Sequence, residues 1–69
     1  MSKEQCLIRA IVPKEKIGFT GWIFEGYEHV GLVSTIDSRA GEILIRTTSD
    51  LYEQAEKILQ NLPFQIEIL

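Results

Sequence analysis

Residues 25–37 read Glu-Gly-Tyr-Glu-His-Val-Gly-Leu-Val-Ser-Thr-Ile-Asp (EGYEHVGLVSTID), and the change of period inside them decides the fold. Up to Glu28 the apolar residues keep helical spacing. From Val30 to Ile36 the β-branched content is that of a strand. At about 100° per residue, Ile17, Phe19, Ile23, Phe24 and Tyr27 gather on one broad arc, with Glu25 and Glu28 opposite. The segment 14–28 is therefore predicted to be helical, although Gly18, Gly21 and Gly26 each cost about 1 kcal/mol against alanine. His29 falls where the chain leaves the helix, commonly a left-handed position, and an imidazole there can meet the negative end of the helix dipole. A catalytic histidine needs partners that this region lacks, so His29 reads as structural. Gly31 is expected just inside the strand, where glycine permits close backbone approach.

Working outward, Cys6 to Val12 is a short apolar run closed by Pro13 and reads as the first strand. Asp37-Ser38-Arg39-Ala40-Gly41 is a hairpin connection, with Asp37 accepting from backbone N–H groups and Gly41 in a left-handed position. Glu42 to Thr48 is the third strand. Asp50-Leu51-Tyr52-Glu53 has the D-x-x-E form of a capped helix start. Leu51, Ala55, Ile58, Leu59 and Leu62 form its apolar stripe, Asn61 and Pro63 mark its exit, and residues 64–69 alternate as a last strand. The order strand, helix, strand, strand, helix, strand predicts an α+β sandwich: a four-stranded antiparallel sheet in order 4-1-3-2 with both helices on one face.

The whole chain resembles the ACT-like branch of ferredoxin-like folds. The run E-x-Y-E…V-x-T-I-D-x-x-x-G, from Glu25 to Gly41, is also similar to a family of short bacterial proteins of unknown function. The resemblance implies a regulatory module that pairs with itself and binds a small metabolite near the turn after the first strand. In this chain that turn reads Val-Pro-Lys-Glu-Lys-Ile-Gly, in place of the Asp-x-Pro-Gly pattern that many ACT domains carry. Lys14, Lys16 and Gly18 are the candidate ligand-binding residues, since two lysines beside free helix N–H groups can hold an anion. A solvated pair of lysines is the alternative.

Sixty-nine residues make one domain with a small core. Domains of this size usually need a disulfide, a metal or a partner. Cys6 is the only cysteine and His29 the only histidine, so no intramolecular disulfide is possible and no zinc-type spacing exists. No cofactor, metal site or catalytic residue is expected. A net charge of −3 argues against a nucleic-acid binder. No run reaches the length of a membrane span, and the N-terminal residues do not read as a signal peptide, so a cytoplasmic protein is expected. A homo-oligomer, dimeric or larger, is the expected way to finish the core.

Strand alternation places Ile8, Ala10, Val12, Ile43, Ile45, Phe64, Ile66 and Ile68 toward the helices. Leu7, Arg9, Ile11, Val33, Thr35, Leu44, Arg46, Gln65 and Glu67 are expected on the opposite face. Of these, Leu7, Arg9, Ile11, Val33, Leu44, Arg46 and Glu67 are candidate interface residues, with Glu67 the expected partner of Arg9. Trp22, at the edge of the first helix's arc with Gly18 and Gly26 a turn to either side, is a further candidate. Its ring either folds over its own helix or meets another surface.

Overall fold

The structure, a computed structural model, describes residues 4–27 and 29–69. Strand β1 spans Gln5–Ile11, and Lys14–Lys16 forms a short 3₁₀ turn leading into helix α1, Ile17–Glu25. Strands β2 (Leu32–Asp37) and β3 (Glu42–Thr48), helix α2 (Tyr52–Gln60) and strand β4 (Glu67–Ile68) complete the chain. All pairings are antiparallel and the sheet runs β2-β3-β1-β4, which from its other edge is the expected 4-1-3-2.

The buried residues explain why the sheet carries helices on one side. Ile8 lies opposite Ile45 and Ala10 opposite Ile43. These four form one buried cluster with Phe24 of α1 and with Ala55 and Leu59 of α2. Strand alternation puts both central strands' apolar sets on the same side, so both helices cover that side. Two buried threonines are satisfied: the Thr20 hydroxyl donates to the Lys16 carbonyl at 2.9 Å, and the Thr47 hydroxyl to the Val30 carbonyl at 2.6 Å.

The joint between α1 and β2 follows the expected change of period, with shorter elements on both sides. The helix ends at Glu25, with Gly26 as C-cap in the right-handed region at φ −68°. His29 is an exposed turn residue. The expected placement of Glu28 lies outside the described residues. Gly31 is buried just ahead of β2, and a Cβ there would lie 3.0 Å from Ile45 Cγ2 and 3.1 Å from the Arg46 carbonyl oxygen. Close backbone approach is what that glycine provides.

The hairpin also forms as expected. Asp37 Oδ1 accepts from the Arg39 and Ala40 amides at 3.0 and 3.2 Å. Gly41 has φ +75°, and a Cβ on it would meet the Val12 carbonyl oxygen at 1.9 Å. The Val12 amide donates to the Gly41 carbonyl at 2.9 Å, so the hairpin tip is fastened to the turn after β1.

Three expectations are corrected. The cap of α2 is not an Asp50–Glu53 box: Leu51 occupies the cap position without a side-chain cap hydrogen bond, while the Asp50 carboxylate accepts from the Thr48 hydroxyl at 2.6 Å. The turn closed by the Leu51 amide on the Thr48 carbonyl draws Asp50 out of register with the helix. The last strand pairs only at Glu67–Ile68, and Phe64 packs edge-on against Phe19 with centroids 5.8 Å apart. Val33 lies opposite Ile45 and packs against the core, and Thr35 lies opposite Ile43, so both face the helices. The residues of β2 opposite outward-facing Arg46 and Leu44 are Leu32 and Ser34.

Candidate interaction surface

The uncovered face of the sheet consists of three cross-strand rows. Leu7, Arg46 and Leu32 make the first; Arg9, Leu44 and Ser34 the second; Ile11, Glu42 and Asp37 the third, with Glu67 of β4 beside Ile11. Of the expected face residues, Leu7, Arg9, Ile11, Leu44, Arg46 and Glu67 do come together here; Val33 does not. Leu7 and Leu32 are 54% and 65% exposed, which is high for large aliphatics within strands. Ile11 and Leu44 are half-buried by their neighbours.

Arg9 pairs with Glu42 rather than with Glu67. Its Nε donates to Glu42 Oε2 at 2.9 Å and its Nη2 donates to the same oxygen. Glu42 is the diagonal neighbour of Arg9 across the β1–β3 pair, within reach of a long side chain. Glu67 lies opposite Ile11 on a strand only two residues long. Arg9 itself is more than half exposed, so its pair contributes little stability. It does neutralise one of the two arginines on this face. Arg46 has no ion pair among the described residues.

A second surface lies between α1 and β2, where a groove of about 570 Å³ is lined by Gly18, Gly21, Trp22, Glu25, Leu32 and Val33, among others. Trp22 is 66% exposed. Of its two readings, the ring neither buries itself nor folds fully over its helix. It leans on Phe19, with centroids 6.0 Å apart and planes tilted by 55°. Gly18 and Gly21 are both helical, and a Cβ on either would meet nothing within 4 Å. Among the described residues no contact with a Cβ requires them to be glycine.

The first turn holds the candidate ligand-binding residues at the start of α1. Lys14 and Lys16 are exposed, and Lys16 Nζ stands 5.9 Å from the centroid of the Phe19 ring. Gly18 lines the groove with Trp22, whose wall includes neither lysine. Cys6 is half-buried, its Sγ 3.8 Å from the Glu4 carbonyl oxygen. Among the described residues no group of three or more His, Cys, Asp or Glu side chains could hold a metal ion, and no helix is long and apolar enough to cross a membrane.

Leu32, Gly21 and Glu42 were not singled out by the sequence. Gly21 carried a signal, since its three-residue spacing from Gly18 places both beside Trp22 on one helix face. Leu32 carried an ambiguous one, because β2 has aliphatics at both parities. No curated protein and no solved structure matches the chain significantly. Residues 11–66, which contain both helices, the hairpin and the whole of the α1–β2 groove, match the family described as Domain of unknown function (DUF4911), and the chain belongs to that family.

Proposed function

We propose that this domain is a small, non-enzymatic interaction and assembly module of the cytoplasm that acts by associating with itself, dimeric or larger. We place it in the ferredoxin-like class, on the ACT-like branch; what supports the reading is its α+β architecture of one four-stranded antiparallel sheet and two helices. The observation that carries the proposal is the exposure of Trp22, Leu32 and Leu7 on a 69-residue chain without a disulfide. Covering such side chains is worth about 25 cal/mol per Å² of apolar surface removed from water. Arg46 stands in the same row as Leu7 and Leu32. Desolvating it unpaired would cost several kcal/mol, so it belongs at a rim or against an acid of the other copy.

Sedimentation at micromolar concentration tests this. The expected result is a dimer or larger species, weakened by Trp22→Ala or Leu44→Glu. A monomer at every concentration, unchanged by both substitutions, would overturn the proposal.

A second function has one observation in its favour. The N-terminus of α1 has no side-chain cap hydrogen bond, and two lysines stand at it. This arrangement suits a small metabolite carrying a carboxylate or another anionic group, such as an amino acid. A thermal-shift screen of amino acids and anions separates the two functions, because specific binding raises apparent stability. A shift abolished by Lys14→Ala and Lys16→Ala would favour the sensor.

A further inference from the structure

Helix α1, IGFTGWIFE, is apolar around almost all of its circumference, yet only Thr20 and Phe24 are fully buried. A helix of that character belongs inside a structure, and the side formed by Gly18, Gly21 and Trp22 is open. We propose, resting on the self-association reading and making it specific, that the groove between α1 and the free edge of β2 receives α1 of a second copy of this chain. The two β2 edges meet antiparallel across a two-fold axis.

Four observations select a second copy as the occupant. The first is the pair of glycines. Gly18 and Gly21 leave bare helix backbone where a Cβ would meet nothing, so whatever requires their small size comes from outside the chain. Second, the projection and the hollow lie on the same helix. A two-fold contact needs a surface that complements itself, and Trp22 of each copy can fill the hollow beside the glycines of the other.

Charge is the third. Lys14 and Lys16, with Glu15 between them, stand in the turn ahead of α1 and leave one net positive charge there, and Glu25 stands at its end. The net charge at each end therefore opposes the partial charge of its own helix terminus. Antiparallel alignment sets the lysine end of one helix beside the glutamate end of the other, twice over. Finally, β2 is an outer strand of the sheet. With the axis at Ser34, Leu32 of one copy lies beside Ile36 of the other, and these residues are 65% and 49% exposed. The same alignment turns Arg46, which sits across from Leu32, toward Asp37 of the other copy.

The test uses the full chain. Gly21→Leu places a side chain in the hollow, starting from a Cβ that meets nothing within 4 Å in its own copy. It should keep its circular dichroism and a thermal midpoint at dilution no lower than the wild type's, while weakening the dimer by about tenfold or more. Independently, Ser34→Cys in a Cys6→Ser chain should form a disulfide-linked dimer under mild oxidation, because the axis brings the two positions together. Gln65→Cys, near the opposite edge of the sheet, should not. A wild-type dimer that Gly21→Leu leaves intact, or that fails to crosslink through Ser34→Cys, overturns this inference and leaves self-association standing on the sheet face. A wild-type monomer overturns self-association itself. If Gly21→Leu loses its fold, the crosslink decides alone, since it leaves α1 untouched.

Discussion

Helices α1 and α2 each span nine residues, and both help to bury one core, but their sequences obey opposite rules. In α2 the apolar residues lie on one stripe, with Ala55 and Leu59 buried and Ile58 at the margin. Glu53 stands in its first turn and Lys57 in its last, as the helix dipole favours. In α1 the stripe is lost in an almost wholly apolar circumference, two interior positions are glycine, and the end charges are reversed. The buried stripe of α2 and the order of its end charges are explained within this chain. The features of α1 that are not (Gly18, Gly21, Trp22 and the charge order) fall at its open side or its ends. The difference separates what the fold needs from what something outside it needs.

The largest effects should come from the faces on which the two helices agree. Phe24→Ala and Leu59→Ala remove fully buried side chains, and each should cost about 2–5 kcal/mol in urea unfolding. On a domain this small, either loss takes much of the total stability. A loss of well under 1 kcal/mol at Phe24 would mean that α1 is only loosely attached, and the comparison would break.

The glycines sharpen it next. Gly41→Ala forces a side chain into a left-handed position against the Val12 carbonyl and should destabilise by about 1–3 kcal/mol. Gly18→Ala and Gly21→Ala should do the reverse. Each should stabilise the dilute monomer by about 0.5–1 kcal/mol, read as a higher thermal midpoint. Destabilisation by either would show that the chain itself requires glycine there.

The smallest effects concern charge. Glu25→Lys in the last turn of α1 should raise stability at low salt by about 0.3–1 kcal/mol, and Lys57→Glu in the last turn of α2 should lower it by a similar amount. Opposite signs, both fading with added salt, are the expected outcome. Equal signs would remove helix polarity as a difference between the two.

The sequence made the sheet legible for reasons visible in particular residues. Asp37 and Gly41 specify their turn by chemistry, Ile43 and Ile45 against Glu42 and Arg46 set the buried parity of β3, and Gly31 marks a close approach. Legibility failed where two local signals competed. In β2, Leu32 and Ile36 stand at one parity and Val33 at the other, so alternation alone could not choose the buried set. Ile36 is also the extra residue where the register shifts between Thr35 and Asp37. The partner of Arg9 depends on a diagonal relation between β1 and β3 that no local pattern carries. Asp50 has the right type for a cap but stands one residue too early, because a preceding turn draws it away. The groove was only half legible: Trp22 and Gly18 drew notice as separate features, and the space between them and Leu32 exists only after β2 is laid beside α1.

The two margins of the sheet differ in one further respect. On one side β2 offers six residues, interrupted near its end by the register shift; on the other β4 offers two. Fibre growth by strand addition requires a usable template at both margins of every unit, so that each newcomer recruits the next. Here the two margins are unequal templates: β2 is continuous up to its register shift, whereas on the other side β4 pairs only with Ala10 and Ile11 and leaves the rest of β1 as a second short step. A strand added at β2 would meet one straight edge, and a strand added at the opposite margin would meet a broken one, so the two margins are not equivalent sites for strand addition.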